Sequence, residues 1–210
     1  MTRLMVLGAT GLVGGLVVSL ALEDPRISVV VAPTRRPVAP RPGLENPIVD
    51  FDALDPAAPW WHVDAVISAL GTTTRATPSH ADYERIESTV PVAVARLTKA
   101  GGASAFAYVS SLGASPTSRS TYLRRKGLAE QRLREVGVAS LTLVRPAGIS
   151  GPRQPPRPAE QLTFALMRAV APLLPRRWRV VSGLEVARAL LESVLSASPG
   201  VHVVESEALH

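Results

Sequence analysis

The sequence contains no cysteine among its 210 residues. Disulfides, thiolate metal sites and cysteine nucleophiles are therefore excluded, and the composition fits a reducing compartment, for which we expect the cytoplasm. The chain has 4 histidines, and none follows a metal-site spacing such as H-E-x-x-H. We therefore expect no metal site.

Lysines and aromatic residues are also scarce. Of the 23 cationic residues only Lys99 and Lys126 are lysine, and Trp, Tyr and Phe contribute 3 residues each. The net charge of +6 and the pI near 10.7 at first favour a nucleic acid or an anionic membrane as partner. However, the arginines form no basic tail and do not alternate with aromatics, as a base-stacking surface requires. We expect a small-molecule substrate and neither a nucleic acid nor a membrane as partner.

Long apolar runs are absent as well. Residues 1–22 imitate a secretory signal, but glycines interrupt the apolar stretch at a regular spacing that a signal helix does not need. No other run approaches the roughly 18 residues needed to cross a bilayer. With 46% hydrophobic and 19% charged residues, the chain is expected to fold as one soluble domain over residues 1–210.

Short β-branched runs alternate with helical patterns along the whole chain. The predicted strands are 4–7, 27–32, 48–49, 63–70, 105–110, 141–145 and 201–204, and the predicted helices are 11–22, 80–100, 121–136, 158–171 and 184–197. Continuously apolar strands indicate burial on both faces of a parallel sheet. The pattern predicts an α/β fold, a single doubly wound Rossmann-type domain with strand order 3-2-1-4-5-6 plus a short last strand.

A glycine-rich turn follows the first predicted strand. Gly8, Gly11 and Gly14 are spaced as G-x-x-G-x-x-G between that strand and a helix. A tight turn and the close approach of a pyrophosphate both need residues without side chains, and the helix N-terminus supplies amides and a positive dipole. Because the motif opens a strand-helix-strand unit, it predicts dinucleotide binding.

The end of the second predicted strand distinguishes between the two nicotinamide dinucleotides. A site that prefers NAD(H) usually has an acidic residue there to hold the ribose 2′-hydroxyl, but this chain has Arg35 and Arg36. Arginine can bind phosphate oxygens with two parallel hydrogen bonds. The sequence therefore predicts NADP(H) in preference to NAD(H), the alternative being that both arginines fall on a surface loop by chance.

Two further strand ends carry candidate cofactor contacts. Asp50 and Phe51 follow the third predicted strand, where a carboxylate could accept a hydrogen bond from the adenine amino group. Gly71 and Thr72 follow the fourth, and such small residues let the backbone pass close to the nicotinamide ribose. The alternative for the second pair is an ordinary Gly-Thr turn.

A serine pair and a Tyr-Lys pair provide candidate catalytic groups. Ser110 and Ser111 end the fifth predicted strand, and Tyr122 and Lys126 share one face of the following helix, from which Glu130 is expected to point away. An ammonium beside a phenol favours the phenolate, which makes the tyrosine a usable acid or base. A nearby serine hydroxyl can orient a substrate carbonyl.

Together these segments resemble the atypical short-chain dehydrogenase/reductases, and within them the Tat-interacting-protein-like oxidoreductases. The resemblance covers nearly the whole chain and rests on LGATGLVG, Arg35-Arg36, VDF at 49–51, LGTT at 70–73, VSSLGA at 109–114, YLRRK-G at 122–127, VRPAGI at 144–149 and RQ-x-x-RP at 153–158. It implies a Rossmann fold, NADP(H) and a Ser-Tyr-Lys site in which Ser111 binds the carbonyl. The cofactor contacts that it implies are Thr10, Gly11, Leu12, Val13, Arg35, Arg36, Leu70, Gly71, Tyr122, Lys126, Pro146, Ile149 and Arg157.

The sequence also departs from the family pattern. Its glycine spacing is that of extended or atypical members, and Arg124 and Arg125 add charge within the Tyr-Lys segment. Only residues 146–183 are left to build a substrate pocket, which favours a small substrate over a sugar nucleotide. We therefore expect an NADP(H)-dependent carbonyl reductase or alcohol dehydrogenase. The alternatives are a cofactor-binding regulatory protein without turnover and an epimerase that retains its cofactor.

Overall fold

The computed structural model describes residues 1–71, 79, 84–151 and 175–210. Within these ranges the strands are β1 (Thr2–Leu7), β2 (Ile27–Val31), β3 (Leu44–Glu45), β4 (Ala65–Ser68), β5 (Ala105–Val109), β6 (Ser140–Arg145), β7 (Ile149–Ser150), β8 (Val181–Ser182) and β9 (Gly200–Glu205). The α-helices are α1 (Leu12–Glu23), α2 (Val90–Ala100), α3 (Thr121–Val136) and α4 (Gly183–Ser196). A π-helical turn, Arg85–Thr89, leads directly into α2, and short 3-10 turns occupy Pro59–Trp61, Arg176–Trp178 and Ser206–Leu209.

Seven strands form one sheet in the order β3-β2-β1-β4-β5-β6-β9. Every neighbouring pair is parallel, including the last strand, which pairs with β6 from Ser140 opposite Gly200 to Arg145 opposite Glu205. The predicted fold class and strand order are therefore confirmed. The separate pair β7-β8 lies after the end of β6.

The third strand begins earlier than the sequence predicted. Leu44 and Glu45 pair with β2, whereas Ile48 makes only an isolated bridge to Thr34. Pro47 has no N–H and cannot donate to a ladder, so regular pairing ends before it. The predicted helix at 158–171, and with it most of the predicted pocket segment 146–183, lies outside the described residues.

The sheet is covered by an apolar layer on each of its two faces. On one face α1 and α4 pack through residues such as Val17 and Leu190, both fully buried. On the other face α2 and α3 pack over the sheet through buried residues that include Phe106 of β5 and Leu133 of α3. Because all seven strands of the sheet are parallel, their carboxyl ends meet at one edge of the sheet, where ligands of such folds bind. Among the described helices, none has the length and apolar character that spanning a bilayer requires.

Candidate functional site

The glycine turn after β1 is closely packed against the end of β4. Gly8 has a φ of 80°, and a Cβ at this position would lie 2.6 Å from the carbonyl oxygen of Ala69. A Cβ at Gly14 would lie 2.1 Å from the carbonyl oxygen of Gly8, which also accepts a 2.9 Å hydrogen bond from the Gly11 amide. The turn therefore needs glycine for conformation at Gly8 and for space at Gly14.

A cleft of about 230 Å³ opens beside this turn, at the carboxyl edge of the sheet. It is lined by Gly8, Thr10, Gly11, Arg35, Phe51, Ala69, Leu70, Gly71, Arg85, Ile86 and Val90. The fold thus brings together seven of the predicted cofactor residues from four separate segments. Helix α1 begins at this cleft, and its N-cap, Gly11, supplies no capping side chain, so first-turn amides remain available to an anion.

Other predicted cofactor residues lie outside the lining of this cleft. Leu12 is half-buried, with its side chain next to Gly151 and Gly183, while Val13 is buried in the core beneath the turn. Arg36 is exposed. Asp50 is also exposed, and its Oδ1 accepts a 2.9 Å hydrogen bond from the Asp52 amide, so this carboxylate caps a turn. Thr72 and Arg157 are outside the described residues.

Asn46 holds the loop that carries Arg35 and Arg36. Its side-chain amide donates to the Ala32 carbonyl at 2.6 Å and to the Thr34 hydroxyl at 2.8 Å, and its Oδ1 accepts from the Val38 amide at 2.9 Å. Sequence reasoning missed this residue, although asparagine beside a proline-rich loop is a common side-chain-to-backbone anchor. The result is a fixed, exposed Arg35 that faces the cleft and forms no ion pair within the described residues.

Sequence reasoning also missed the opposite wall of the cleft. Arg85, Ile86 and Val90 come from the π-helical turn and the start of α2, whose helical pattern alone gave no sign of a ligand contact. Arg85 forms an ion pair with Asp52 across the cleft mouth. This ion pair links the π-helical turn to the segment after β3. The two walls of the cleft are therefore joined next to Phe51.

Lys126 is buried in α3, with only 3% of its surface exposed. Its Nζ lies 2.5 Å from Glu87 Oε2, 3.2 Å from the Tyr108 hydroxyl oxygen and 2.8 Å from the Val109 carbonyl oxygen. Tyr108 in turn donates its hydroxyl proton to the backbone carbonyl of Glu87 at 2.7 Å. The ammonium thus donates two hydrogen bonds and forms an ion pair with Glu87.

Burial affects the pKa values of Tyr108 and Lys126, which form a buried cluster with Glu87. Burial raises the pKa of Tyr108 to about 12, even though the Lys126 ammonium lowers it. Burial lowers the pKa of Lys126, but the electrostatic interactions with Tyr108 and Glu87 outweigh burial and hold that pKa above the ordinary lysine value. At neutral pH Tyr108 is therefore a neutral phenol and Lys126 is an ammonium.

Glu87 connects this cluster to the cleft. A Cβ on Gly71, which lines the cleft, would lie 3.6 Å from Glu87 Oε1. The other carboxylate oxygen, Oε2, contacts Lys126. One buried side chain consequently lies between the end of β4 and the predicted Tyr-Lys pair.

The two serines after β5 differ in their surroundings. The Ser110 hydroxyl donates to Glu130 Oε1 at 2.5 Å, and Glu130 forms paired hydrogen bonds of 2.8 and 2.6 Å with Arg145. The expectation that Glu130 points away from the helix face shared by Tyr122 and Lys126 was wrong. Glu130 is buried, because its carboxylate is hydrogen-bonded to Ser110 and Arg145 in the core. The Ser111 hydroxyl has no hydrogen-bond partner within the described residues.

Tyr122 is 40% exposed, and among the described residues its hydroxyl has no hydrogen-bond partner. Its phenol lies close enough to Lys126 and Tyr108 to raise the pKa of both, as a smaller contribution than the causes named above. Pro146 is buried, and its carbonyl accepts a 3.0 Å hydrogen bond from the Leu112 amide. Ile149 lies in β7 and packs on the core beneath α1 and α4.

The described residues fit a dinucleotide better than a metal ion. The glycine turn provides space that a Cβ would fill, the start of α1 provides amides, and Arg35 provides a guanidinium that forms no ion pair within the described ranges. No cluster of His, Asp and Glu suited to a metal occurs in the part of the chain that the structure describes. The geometry can therefore hold phosphates at the glycine turn.

Comparisons with known proteins place the chain in a family. Residues 8–166 match a family described as NAD(P)H-binding. The protein fmp52, mitochondrial, from Aspergillus clavatus is 30% identical, over 95% of this chain and 90% of that protein. The protein HTATIP2 from Rattus norvegicus is 30% identical, over 97% of this chain and 86% of that protein.

A solved structure gives an independent comparison of the fold. The Bordetella bronchiseptica enzyme WbmH, in complex with NAD⁺, has a TM-score of 0.70 to this chain. It shares 18% identity and covers 98% of this chain, which spans 76% of that protein. At this identity the likeness concerns the fold alone.

The comparisons contradict the cytoplasmic location expected from the sequence. Several fungal relatives are named mitochondrial. The expectation was wrong because a lack of cysteine indicates a reducing environment without distinguishing one such compartment from another. With the fold, the glycine turn and the relatives in agreement, the chain belongs to the NAD(P)H-binding family and is an atypical short-chain dehydrogenase/reductase similar to HTATIP2.

Proposed function

We propose that the protein is an NADP(H)-dependent oxidoreductase that interconverts a small carbonyl compound and its alcohol. The observation that carries the proposal is a contrast between two pairs of hydroxyls. Ser110 and Tyr108 are buried and hydrogen-bonded to protein groups, whereas Ser111 and Tyr122 have no partner within the described residues. Of these four hydroxyls, the two without a partner in the described structure belong to the residues that a Ser-Tyr-Lys site requires.

Each residue has a defined task in this proposal. When bound, the cofactor supplies or accepts a hydride at the substrate carbon. Ser111 donates a hydrogen bond to the substrate oxygen and so orients the carbonyl. Tyr122 gives a proton to that oxygen during reduction and takes it back during oxidation. Lys126 supplies a fixed positive charge near the phenol, which favours the phenolate that oxidation needs.

The preference for NADP(H) is also a proposal. It is supported by the exposed Arg35 guanidinium, which faces the cleft without an ion pair in the described residues, and by the lack of an acidic residue at the end of β2. A 2′-phosphate would supply the missing anion. Asn46 supports the same preference, because it fixes the loop from which Arg35 extends.

A second candidate function is cofactor-dependent regulation without turnover. It is favoured by one observation, namely that the Lys126 ammonium is buried and already engaged with Glu87, Tyr108 and Val109 rather than directed at the cofactor cleft. Under this alternative the buried cluster would stabilise the fold, and the cleft would only sense NADP(H).

The variant Tyr122→Phe tests the proposal against the alternative. We expect NADPH oxidation with a panel of aldehydes and ketones to fall by about 100-fold or more, because general acid catalysis is lost. NADPH affinity, measured by fluorescence, should stay within about twofold, since Tyr122 is not among the residues that line the cleft. Turnover in the wild type that is unchanged in the variant would refute the role of Tyr122. Tight NADPH binding without turnover of any carbonyl would favour the regulatory function.

A further inference from the structure

We propose that Glu87 is a positioning residue that fixes the Lys126 ammonium beside β5, and that the π-helical turn connects this pair to the cofactor cleft. The proposal rests on the proposed function, because it concerns the lysine of the candidate catalytic site. Neither the motifs in the sequence nor the family match singles out Glu87.

Lys126 forms a buried ion pair with Glu87. The two side chains lie 2.5 Å apart with 4% and 2% of their side-chain surfaces exposed. A buried ammonium without a carboxylate would lose much of its stabilisation, because desolvation favours the neutral amine. The Tyr108 hydroxyl and the Val109 carbonyl complete the coordination of Nζ without adding a negative charge at neutral pH.

The π-helical turn explains why Glu87 can reach Lys126. Glu84 and Glu87 are three residues apart, a spacing that normally places side chains on the same face of a helix. Here the Glu84 side chain is 50% exposed and lies near Arg132, whereas Glu87 points into the core. The wider turn at Arg85–Thr89 changes the rotation of the chain between them, and such turns occur frequently at functional sites.

The same turn forms a wall of the cleft. Arg85 and Ile86 line the cleft, and Glu87 follows immediately with its Oε1 near Gly71. A dinucleotide seated against Arg85 and Ile86 would therefore press on the backbone that carries the partner of Lys126. This arrangement couples occupation of the cleft to the position of the ammonium.

Other ionisable groups around Lys126 do not replace Glu87. Tyr108 faces it from β5 with its pKa raised to about 12 by burial, and Tyr122 lies on the same helix as Lys126. Glu130, one helical turn beyond Lys126, is engaged with Ser110 and Arg145. Within the described residues, Glu87 is thus the carboxylate that forms an ion pair with Lys126.

The scarcity of lysine makes a direct test feasible. Protein labelled with ¹⁵N-lysine has signals from Lys99 and Lys126 alone, and the variant Lys99→Arg identifies each one. In cofactor-free wild-type protein we expect the Lys126 ammonium to stay protonated beyond the ordinary lysine range. In Glu87→Gln it should titrate below that range, since the amide keeps the shape but removes the charge. The matched control Glu84→Gln, which removes an exposed carboxylate from the same segment, should leave the Lys126 titration unchanged.

An unchanged Lys126 titration in Glu87→Gln would overturn the proposal. If that variant fails to fold, the pairing of Glu87 with Lys126 is tested by thermal unfolding of Lys126→Met and of the double variant Glu87→Gln/Lys126→Met. A fall in Tm that is smaller in the double variant than in Lys126→Met alone supports the pairing, because no unpaired carboxylate is left buried. A larger fall in the double variant contradicts it.

A titration with NADP⁺ tests the coupling to the cleft. We expect saturating NADP⁺ to shift the Lys126 signal and to leave the Lys99 signal in place. No shift of the Lys126 signal at saturation would refute the coupling. Since these readouts need no turnover, an inactive protein with the expected lysine titration would refute the proposed oxidoreductase function and leave the role of Glu87 intact.

Discussion

The hydroxyl of Ser110 donates a 2.5 Å hydrogen bond to the buried carboxylate of Glu130. This carboxylate is also held by Arg145, which reaches Glu205 at 3.0 Å on the adjoining strand β9. The end of β5 is therefore fixed by a network that uses Ser110, whereas the hydroxyl of the adjacent Ser111 has no hydrogen-bond partner in the part of the chain that the structure describes. The network makes Ser111 the better candidate for contact with a substrate.

The variant Ser111→Ala should lower turnover by about 100-fold, since under the proposed function it removes the hydrogen-bond donor to the substrate oxygen. Its Tm should remain near the wild-type value, because the Ser111 hydroxyl has no partner in the described structure. The comparison is Ser110→Ala, for which we expect a loss of about 1–3 kcal/mol of stability from the broken buried hydrogen bond. Steady-state kinetics and thermal unfolding of both variants measure this difference. The reverse pattern would assign the catalytic role to Ser110.

The variant Arg35→Ala should weaken NADPH binding selectively. Loss of a charged hydrogen bond to phosphate costs about 1.5–3 kcal/mol, which corresponds to roughly 10- to 150-fold in Kd. NADH lacks the 2′-phosphate, so its Kd should change little. Arg41→Ala is the matched control, because Arg41 lies in the same loop but bonds to Ser19 outside the lining of the cleft. Equal losses for NADPH and NADH in Arg35→Ala would contradict the proposed specificity.

The glycine turn makes a prediction that is independent of turnover. In Gly14→Ala the new Cβ would lie 2.1 Å from the Gly8 carbonyl oxygen, so the turn must shift at a cost of about 1–3 kcal/mol. NADPH affinity should fall together with stability. The neighbouring Gly15→Ala meets the Ala9 carbonyl oxygen only at 3.3 Å and gains helix propensity, so its Tm should stay close to wild type. Calorimetry and fluorescence titration of both variants provide the test.

An acid-dependent contribution to stability is expected where α1 meets α4. The hydrogen bond from the Arg26 side chain lowers the pKa of Asp24 from 3.8 to about 2, and Arg26 also bonds to Glu192 on α4 at 2.6 Å. A pKa that is lower in the folded state contributes stability above the unfolded value and loses it as the pH falls. This contribution should be fully present above about pH 4 and disappear towards pH 2.

Chemical denaturation of Asp24→Asn between these pH values checks that contribution. The variant should be less stable at neutral pH and should lose less stability on acidification than the wild type. Glu23→Gln removes an adjacent exposed carboxylate and serves as the control. An identical acid profile for Asp24→Asn and wild type would show that the ion pair does not contribute to stability.

The sequence by itself determined the fold and one part of the site. Alternating apolar runs predicted the parallel sheet, because burial on both faces leaves a local and periodic signal. The glycine spacing predicted the turn, since its steric requirements act between residues that are close in sequence. The position of β3 was less predictable, because Leu44–Glu45 is too short to show a period.

Only the tertiary structure decided which polar groups are engaged. Glu87 and Lys126 are far apart in the chain, and their contact depends on the π-helical turn and on α3 packing over β5. Ser110 and Ser111 are identical in type and adjacent in sequence, yet the folded protein bonds one to Glu130 and leaves the other without a described partner. Sequence patterns report local sterics and burial, whereas the pairing of buried charges depends on contacts that form only when distant segments pack together.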